Sequence, residues 1–419
     1  MSPSTPLACR GRTDRGRGSS RGSVVAWSVL ALALLYAPIA ISSMWFTVVP
    51  DAPRLQERVD AWVGGHAYAA GRGSVAALRS GAYVDHRVIM LVHTVLGGFA
   101  LLVAALQCVT AHRLTRRVHR LVGRTYLALM GTSMGAAILF LLVSPRLDVA
   151  GQVAFRWQLW VLALSTVGTA VLATRSARQG DADAHRAWMA LNIAFMLTAP
   201  VLRLLWTCLA PLFPRHDMLT NLEVGSVVLA VAAPAAGSLA VMARSGTPRD
   251  DRHPGVRHRW LPLVVLAVLG CVIVVVRQPG AGAGPGELPW FHAVPVLVSV
   301  AICVKGSLGS RNLRTRAQDW DSLLVGVALA PWAAVVVGIA STSWVGAAEG
   351  YLVGLMVAPG VPVVAALATV VRRRSLSGRA PIATRPASSA DPADAWGTTS
   401  RLLRSRDRAR CAAVLDTRP

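Results

Sequence analysis

A chain that places about 20 apolar residues in a row, ten times over, has one class of fold open to it. The hydrocarbon core of a bilayer is roughly 30 Å thick, and about 20 residues of helix cross it. Stretches that meet this length run over residues 24–49, 88–110, 121–143, 157–174, 187–210, 224–243, 261–276, 288–304, 322–340 and 351–371. The seventh and eighth are the shortest. In lipid every backbone N–H and C=O must find its partner inside its own segment, so these stretches read as helices. The expectation is an all-α polytopic membrane protein of ten spans. Only 15% of the 419 residues are charged, against about 25% in soluble domains. A soluble globular domain, a disulfide scaffold and a disordered chain are excluded.

The net charge of +23 would suggest nucleic acid in a soluble protein. Here it sorts by loop. Most of the 43 Lys and Arg residues fall in 1–23, 111–124, 175–186, 244–260, 305–317 and 372–419, which are alternate loops and the two ends. Cytoplasmic loops carry such an excess. The reading is a multi-pass protein of the plasma membrane with both termini in the cytoplasm and no nucleic-acid partner. Its partners are the lipid bilayer and anionic lipid at the basic inner loops. The arginine-rich leader before span one resembles a signal peptide, but its apolar run is too long and lacks a small-x-small cleavage site. Residues 50–87 form an outer loop with room for a short interfacial helix. Residues 372–419, rich in Arg, Ser, Ala and Pro, read as a disordered basic tail near anionic lipid. Cys9, Cys108, Cys208, Cys271, Cys303 and Cys411 make no CxxC pair and no zinc or iron–sulfur spacing.

Polar residues inside spans are costly and point to function. The first half of the chain holds most of them. Span two carries His93, Gly97, Ala100, Ala104 and Gln107 at steps of 4, 3, 4 and 3, all on one helical face. His119, Gly123, Tyr126, Met130 and Ser133 repeat the spacing in span three. His185, Asn192, Met196, Ala199 and Arg203 share a face of span five, which Asp181 or Asp183 can cap. At ~1.5 Å per residue, His93 and Arg203 lie about 9 and 12 Å beneath the outer surface and fit one outer layer. His119 and His185 fit one inner layer, amid Arg116, Arg117, Arg120, Arg124 and Arg186. Each also has a plainer reading. His119 and His185 suit a headgroup contact, Arg203 can snorkel, and His93 can be a neutral histidine bonded to a carbonyl. His112, His253 and His258 fall in basic loops; His66, His86 and His216 lie at the outer surface; His292 has no evident companion.

Taken together, His93 with Gly97 and Gln107, the run HRLVGRTY (His119, Arg120, Gly123, Arg124, Tyr126), the run GDADAHRAWM (Gly180, Asp181, His185, Arg186, Trp188, Met189) and Arg203 resemble the predicted bacterial membrane-protein family known as domain of unknown function 2306. The resemblance covers about residues 88–205 and implies a shared four-helix module over spans two to five, within 88–210. It reaches neither the second membrane region, 211–371, nor the tail, and it names no reaction.

Three functions remain open. Haem b sits in membrane bundles between histidines on facing helices; His119 and His185 would ligate it, an arrangement similar to the ascorbate-linked transmembrane cytochromes b, with nearby arginines on the propionates. Against this, both histidines sit near helix starts, and span four has no partner for His93. A small-molecule transporter would suit two five-span inverted repeats, with Pro200, Pro234, Pro331, Pro359 and Pro362 as breaks; the two halves show no convincing similarity. A sensor or scaffold subunit needs neither. The candidate ligand-binding residues are His93, Gln107, Tyr126, Asn192 and Arg203, with Arg120, Arg124 and Arg186 contacting anions. No GxSxG, HExxH, Walker loop or dinucleotide fingerprint is present, and AGAGPG at 281–286 reads as a connector.

Overall fold

Fifteen α-helices and one short 3-10 helix, Trp45–Thr47, make up the regular structure of the described residues in the computed structural model, which describes residues 16–110, 114–144, 152–244, 260–280, 285–310 and 314–378. In chain order they are α1 (Gly16–Ser42), α2 (Leu55–Gly64), α3 (His66–Ala70), α4 (Val75–Asp85), α5 (Arg87–Thr110), α6 (Arg116–Val143), α7 (Gln152–Arg178), α8 (Ala182–Met196), α9 (Thr198–Leu212), α10 (Met218–Arg244), α11 (Trp260–Val276), α12 (Leu288–Leu308), α13 (Arg314–Val345), α14 (Ala347–Val357) and α15 (Gly360–Gly378). The basic leader 1–15, His112, His253, His258, Cys9, Cys411, residues 281–284 and the tail from 379 lie outside the described residues.

The all-α polytopic class holds. Each of the roughly ten expected spans falls on helix. Nine helical stretches among the described residues are long and apolar enough to cross a bilayer, and Trp260–Val276 is shorter. Its 17 residues reach about 26 Å, just under the hydrocarbon thickness. The outer loop also exceeds its expectation of one short helix, with α2, α3 and α4 in series.

Proline breaks two spans and spares others. Span five divides at Leu197 into α8 and α9. Pro200 cannot donate to the Met196 carbonyl and its ring crowds that oxygen, so the helix restarts there. Span ten divides at Ala358 and Pro359 into α14 and α15. Pro234 and Pro331 remain inside the unbroken helices α10 and α13.

Small residues decide which helices pair. α1 packs along α5, α5 along α6, α7 along α8, and α13 along α14. A Cβ on Gly98 would come within 2.6 Å of Ile41, so this glycine lets α5 close on α1. On α14, a Cβ at Gly354 would meet the Ala334 carbonyl oxygen at 2.2 Å and the Gly338 Cα at 2.9 Å. This is backbone on backbone, the close approach that small residues permit in membranes. The four spans expected to form a self-contained bundle do not stand apart, because α1 covers α5, and α10 packs on both α8 and α9.

Five of the six exposed tryptophans among the described residues lie at the ends away from the arginine-rich loops, here called outer: Trp45, Trp62, Trp157, Trp290 and Trp344, the second and fifth 87% and 84% exposed; the sixth, Trp27, lies at the other end. Amphipathic rings take that place at a lipid headgroup layer. At the other end, Arg373 and Arg374 pair with Asp319 at 3.3 and 2.8 Å, and Arg373 donates to Ser322 at 2.8 Å. Part of the tail's basic start is thus engaged by α13.

Packing through Gly354 makes a direct prediction. Gly354→Ala forces two backbones apart and lowers stability by about 1–3 kcal/mol. Gly131→Ala on α6, where a Cβ meets nothing within 4 Å, stays within about 0.5 kcal/mol. Thermal melts of the two variants in detergent compare them.

Candidate functional site

The polar stripes of spans two and three face one another. His93 Nδ1 lies 3.0 Å from the Ser133 carbonyl oxygen, and the Ser133 hydroxyl donates to the His93 carbonyl at 2.7 Å. Gly97, one turn along, makes room for this: its Cβ would stand 3.0 Å from Ser133 Oγ. Ala100 and Ala104 are buried in the seam. At the inner end Gln107 Nε2 lies 3.2 Å from His119 Nδ1 and donates to the His119 carbonyl at 3.3 Å. Gly123 passes close to the same amide.

The Ser133 carbonyl can only accept, so His93 Nδ1 must carry the proton of that bond. In the neutral ring Nε2 is then a bare acceptor. No protein donor bonds to it among the described residues.

Tyr126 and Asn192 are brought together. The Tyr126 hydroxyl donates to Asn192 Oδ1, and the Asn192 amide donates to the Thr166 carbonyl at 2.7 Å and to Thr169 Oγ1 at 3.1 Å. Both side chains are buried, and together they tie α6, α7 and α8 at mid-membrane. His185 Nδ1 donates to the Ala173 carbonyl at 2.9 Å, so its ring leans on α7, whereas His119 leans on α5. Arg120, Arg124 and Arg186 are exposed at the inner helix ends. Arg186 pairs with Asp183, its neighbour one turn back on the surface.

His93 and Arg203 line one cavity of about 210 Å³. The cavity is walled by α1, by α4 above, and by α5 to α10 around it. Its outer part carries Arg79, Tyr36 and Tyr83 beside His93 and Arg203; its inner part is Leu101, Met134, Ala163, Phe195 and Met196. The Arg203 guanidinium lies 5.5 Å from the Trp206 ring centroid, and that of Arg79 lies 4.8 Å from the Phe155 ring centroid. Both are within cation–π range. The phenols of Tyr36 and Tyr83 and the carboxylate of Asp60 surround Arg203. Asp60 acts through space: its Oδ1 is taken by Gln56 Nε2 at 2.9 Å and by the Thr207 hydroxyl. Among the described residues Arg203 forms no ion pair.

Tyr36, Arg79, Tyr83 and Asp60 escape the span-by-span reading. Tyr36 is the lone phenol of span one. The other three come from the outer loop, whose helices fold back over the spans. Asp60 binds Thr207 on α9, and the Tyr68 hydroxyl donates to the Trp206 carbonyl at 2.6 Å while accepting from Asn221 at 3.0 Å. Burial pushes Tyr68 up to about 12. The glycine-rich composition of this loop gives no sign that Asp60 is buried.

In the second half His292 is fully buried on α12, and neither ring nitrogen has a hydrogen-bond partner among the described residues. Glu349 accepts from the backbone of Ala154 at 2.9 Å and so joins α14 to the first turn of α7. Cys108, Cys208, Cys271 and Cys303 form no disulfide among the described residues. The described residues contain no cluster of three or more metal-ligating side chains.

Residues 90–241 match the family described as Predicted membrane protein (DUF2306). The resemblance seen in the stripes of spans two, three and five is therefore shown, and the match extends beyond the expected end near 205 to take in α10. That helix also borders the cavity, through Leu222. No curated protein and no solved structure matches the chain.

Burial raises Asp60 above its ordinary value, opposed by the hydrogen bonds of Thr207 and Gln56 and by the charge of Arg203. The native state then keeps a proton that the unfolded chain releases near pH 4, so stability falls as pH rises from there through the native pKa. Asp60→Asn keeps an acceptor and never ionises. Melting temperatures measured from pH 4 upward are expected to decline for the wild type relative to Asp60→Asn, whose own curve stays flatter.

Proposed function

We propose that the protein is a membrane-embedded binding protein of the sensor type, taking a small anion into the outer cavity. The observation that carries the reading is Arg203. A guanidinium at membrane depth is costly, and such groups pair with an acid or mark a ligand path. Asp60, the acid in reach, attracts Arg203 through space but forms no ion pair with it, and its Oδ1 accepts from Gln56 and Thr207. The charge of Arg203 instead borders open space together with Arg79 and His93. Both termini lie in the cytoplasm of this plasma-membrane protein, the basic loops meet anionic lipid, and the cavity serves the outer side.

Transport has one observation in its favour. Spans five and ten hold corresponding places in two five-span halves, and both are broken, as substrate-binding helices of inverted repeats are. The helix contacts do not repeat, however. Span one packs along span two, whereas span six packs along span eight. Haem b has less support, because His119 and His185 lean on different helices and share no hydrogen-bonded partner.

The reading is tested by thermal shift of the purified protein in detergent. Acetate, benzoate and phosphate are compared with neutral and cationic analogues of the same size. At least one anion is expected to raise the melting temperature saturably, and Arg203→Gln is expected to abolish the rise. An equal response from wild type and variant, or none to any anion, contradicts it.

A further inference from the structure

The cavity's size, its two-part wall and the fixed tautomer of His93 restrict what the site can hold. We propose that it takes a single-ring carboxylate bearing a hydroxyl, of hydroxybenzoate size, with the carboxylate against Arg203 and Arg79 and the hydroxyl donating to His93 Nε2. This rests on the anion-binding reading and names its ligand class.

Size comes first. A dry cavity of about 150 Å³ accommodates benzene, and a water-sized group occupies roughly 30 Å³. At about 210 Å³ the site has room for one ring and about two small polar substituents. Drug-sized ligands use pockets of roughly 300 Å³ or more, so the enclosed part of this site suits a ligand smaller than a nucleotide or a haem.

The wall supplies the chemistry. Its inner part, with Phe195, Met134 and Met196, is apolar and suits a ring face or edge. Its outer part presents two guanidiniums, which match a carboxylate in fork geometry better than any other side chain does. An anion alone would leave His93 Nε2 without a donor. A hydroxyl on the ring supplies one from inside the cavity that the half-buried His93 lines.

The way in is set by α4. Asp60 on α2 and Tyr68 on α3 are fastened to α9, but α4 has no buried residue. It lies across the outer end of the cavity and lowers Arg79 and Tyr83 into it. Displacing α4 opens the site to the outer aqueous side, and its return brings the second guanidinium onto the bound carboxylate.

Isothermal titration of the purified full chain in detergent tests this with the three hydroxybenzoate isomers, benzoate, phenol, acetate and phosphate. One isomer is expected to bind several-fold tighter than benzoate and at least tenfold tighter than phenol. Arg203→Gln and Arg79→Gln each weaken it roughly tenfold or more. Arg79 stands on a helix without buried residues, so its variant keeps the test intact if Arg203→Gln does not fold. His93→Phe makes the isomer bind no better than benzoate, a change that a purely structural role would not produce. If acetate or phosphate binds through Arg203 and no ring acid binds tighter, this proposal falls and the anion-binding reading stands. If nothing binds, both fall.

Discussion

Hydrocarbon offers no hydrogen bonds, so a membrane chain must satisfy its polar groups from within. Around Arg203 this chain meets that demand only in part: Tyr36 accepts a hydrogen bond from the guanidinium, but no ion pair forms among the described residues. Deeper in the membrane Asn192 is bonded by Tyr126, Thr166 and Thr169, and beside Arg203 the His93 Nδ1 is bonded by Ser133. The packing of the first half follows from holding one cation beside an open cavity. α1 brings Tyr36, the outer strap brings Asp60 and Arg79, and α9 carries Arg203 with Trp206 one turn along the same helix.

The same constraint explains why the glycines matter where they do. Gly97 admits the Ser133 hydroxyl, Gly98 admits α1, and Gly237 on α10 admits Leu191 and Ala194 of α8. Each lets a neighbouring helix approach closely enough to wall the cavity or brace its floor. The second half solves a different problem. Its cores are almost wholly aliphatic, and its closest contact, α13 on α14, is backbone against backbone. His292 and Trp320 are buried there with ring nitrogens that have no hydrogen-bond partner among the described residues.

Helical periodicity carried much of this in the sequence. Steps of three and four placed His93, Gly97 and Gln107 on the face that meets Ser133 and His119, and depth counted along the helices put His93 and Arg203 in one layer. What periodicity could not carry was tertiary. The outer loop reads as polar and glycine-rich, and nothing in its spacing says that Asp60 reaches Thr207, some 147 residues away. Proline was equally ambiguous: Pro200 and Pro359 break their spans while Pro234 and Pro331 do not. In each case neighbouring helices decide, and a single stretch of sequence does not contain its neighbours.

A charge kept for a ligand should cost stability when the ligand is absent, whereas a charge kept for the fold should supply it. Arg203→Met separates the two, since methionine fills a similar volume without charge. The measurement is the melting temperature of wild type and variant in detergent, free of added anions. The account predicts that Arg203→Met melts higher than the wild type. A variant that melts several degrees lower would show that Arg203 is a structural cation and contradict it.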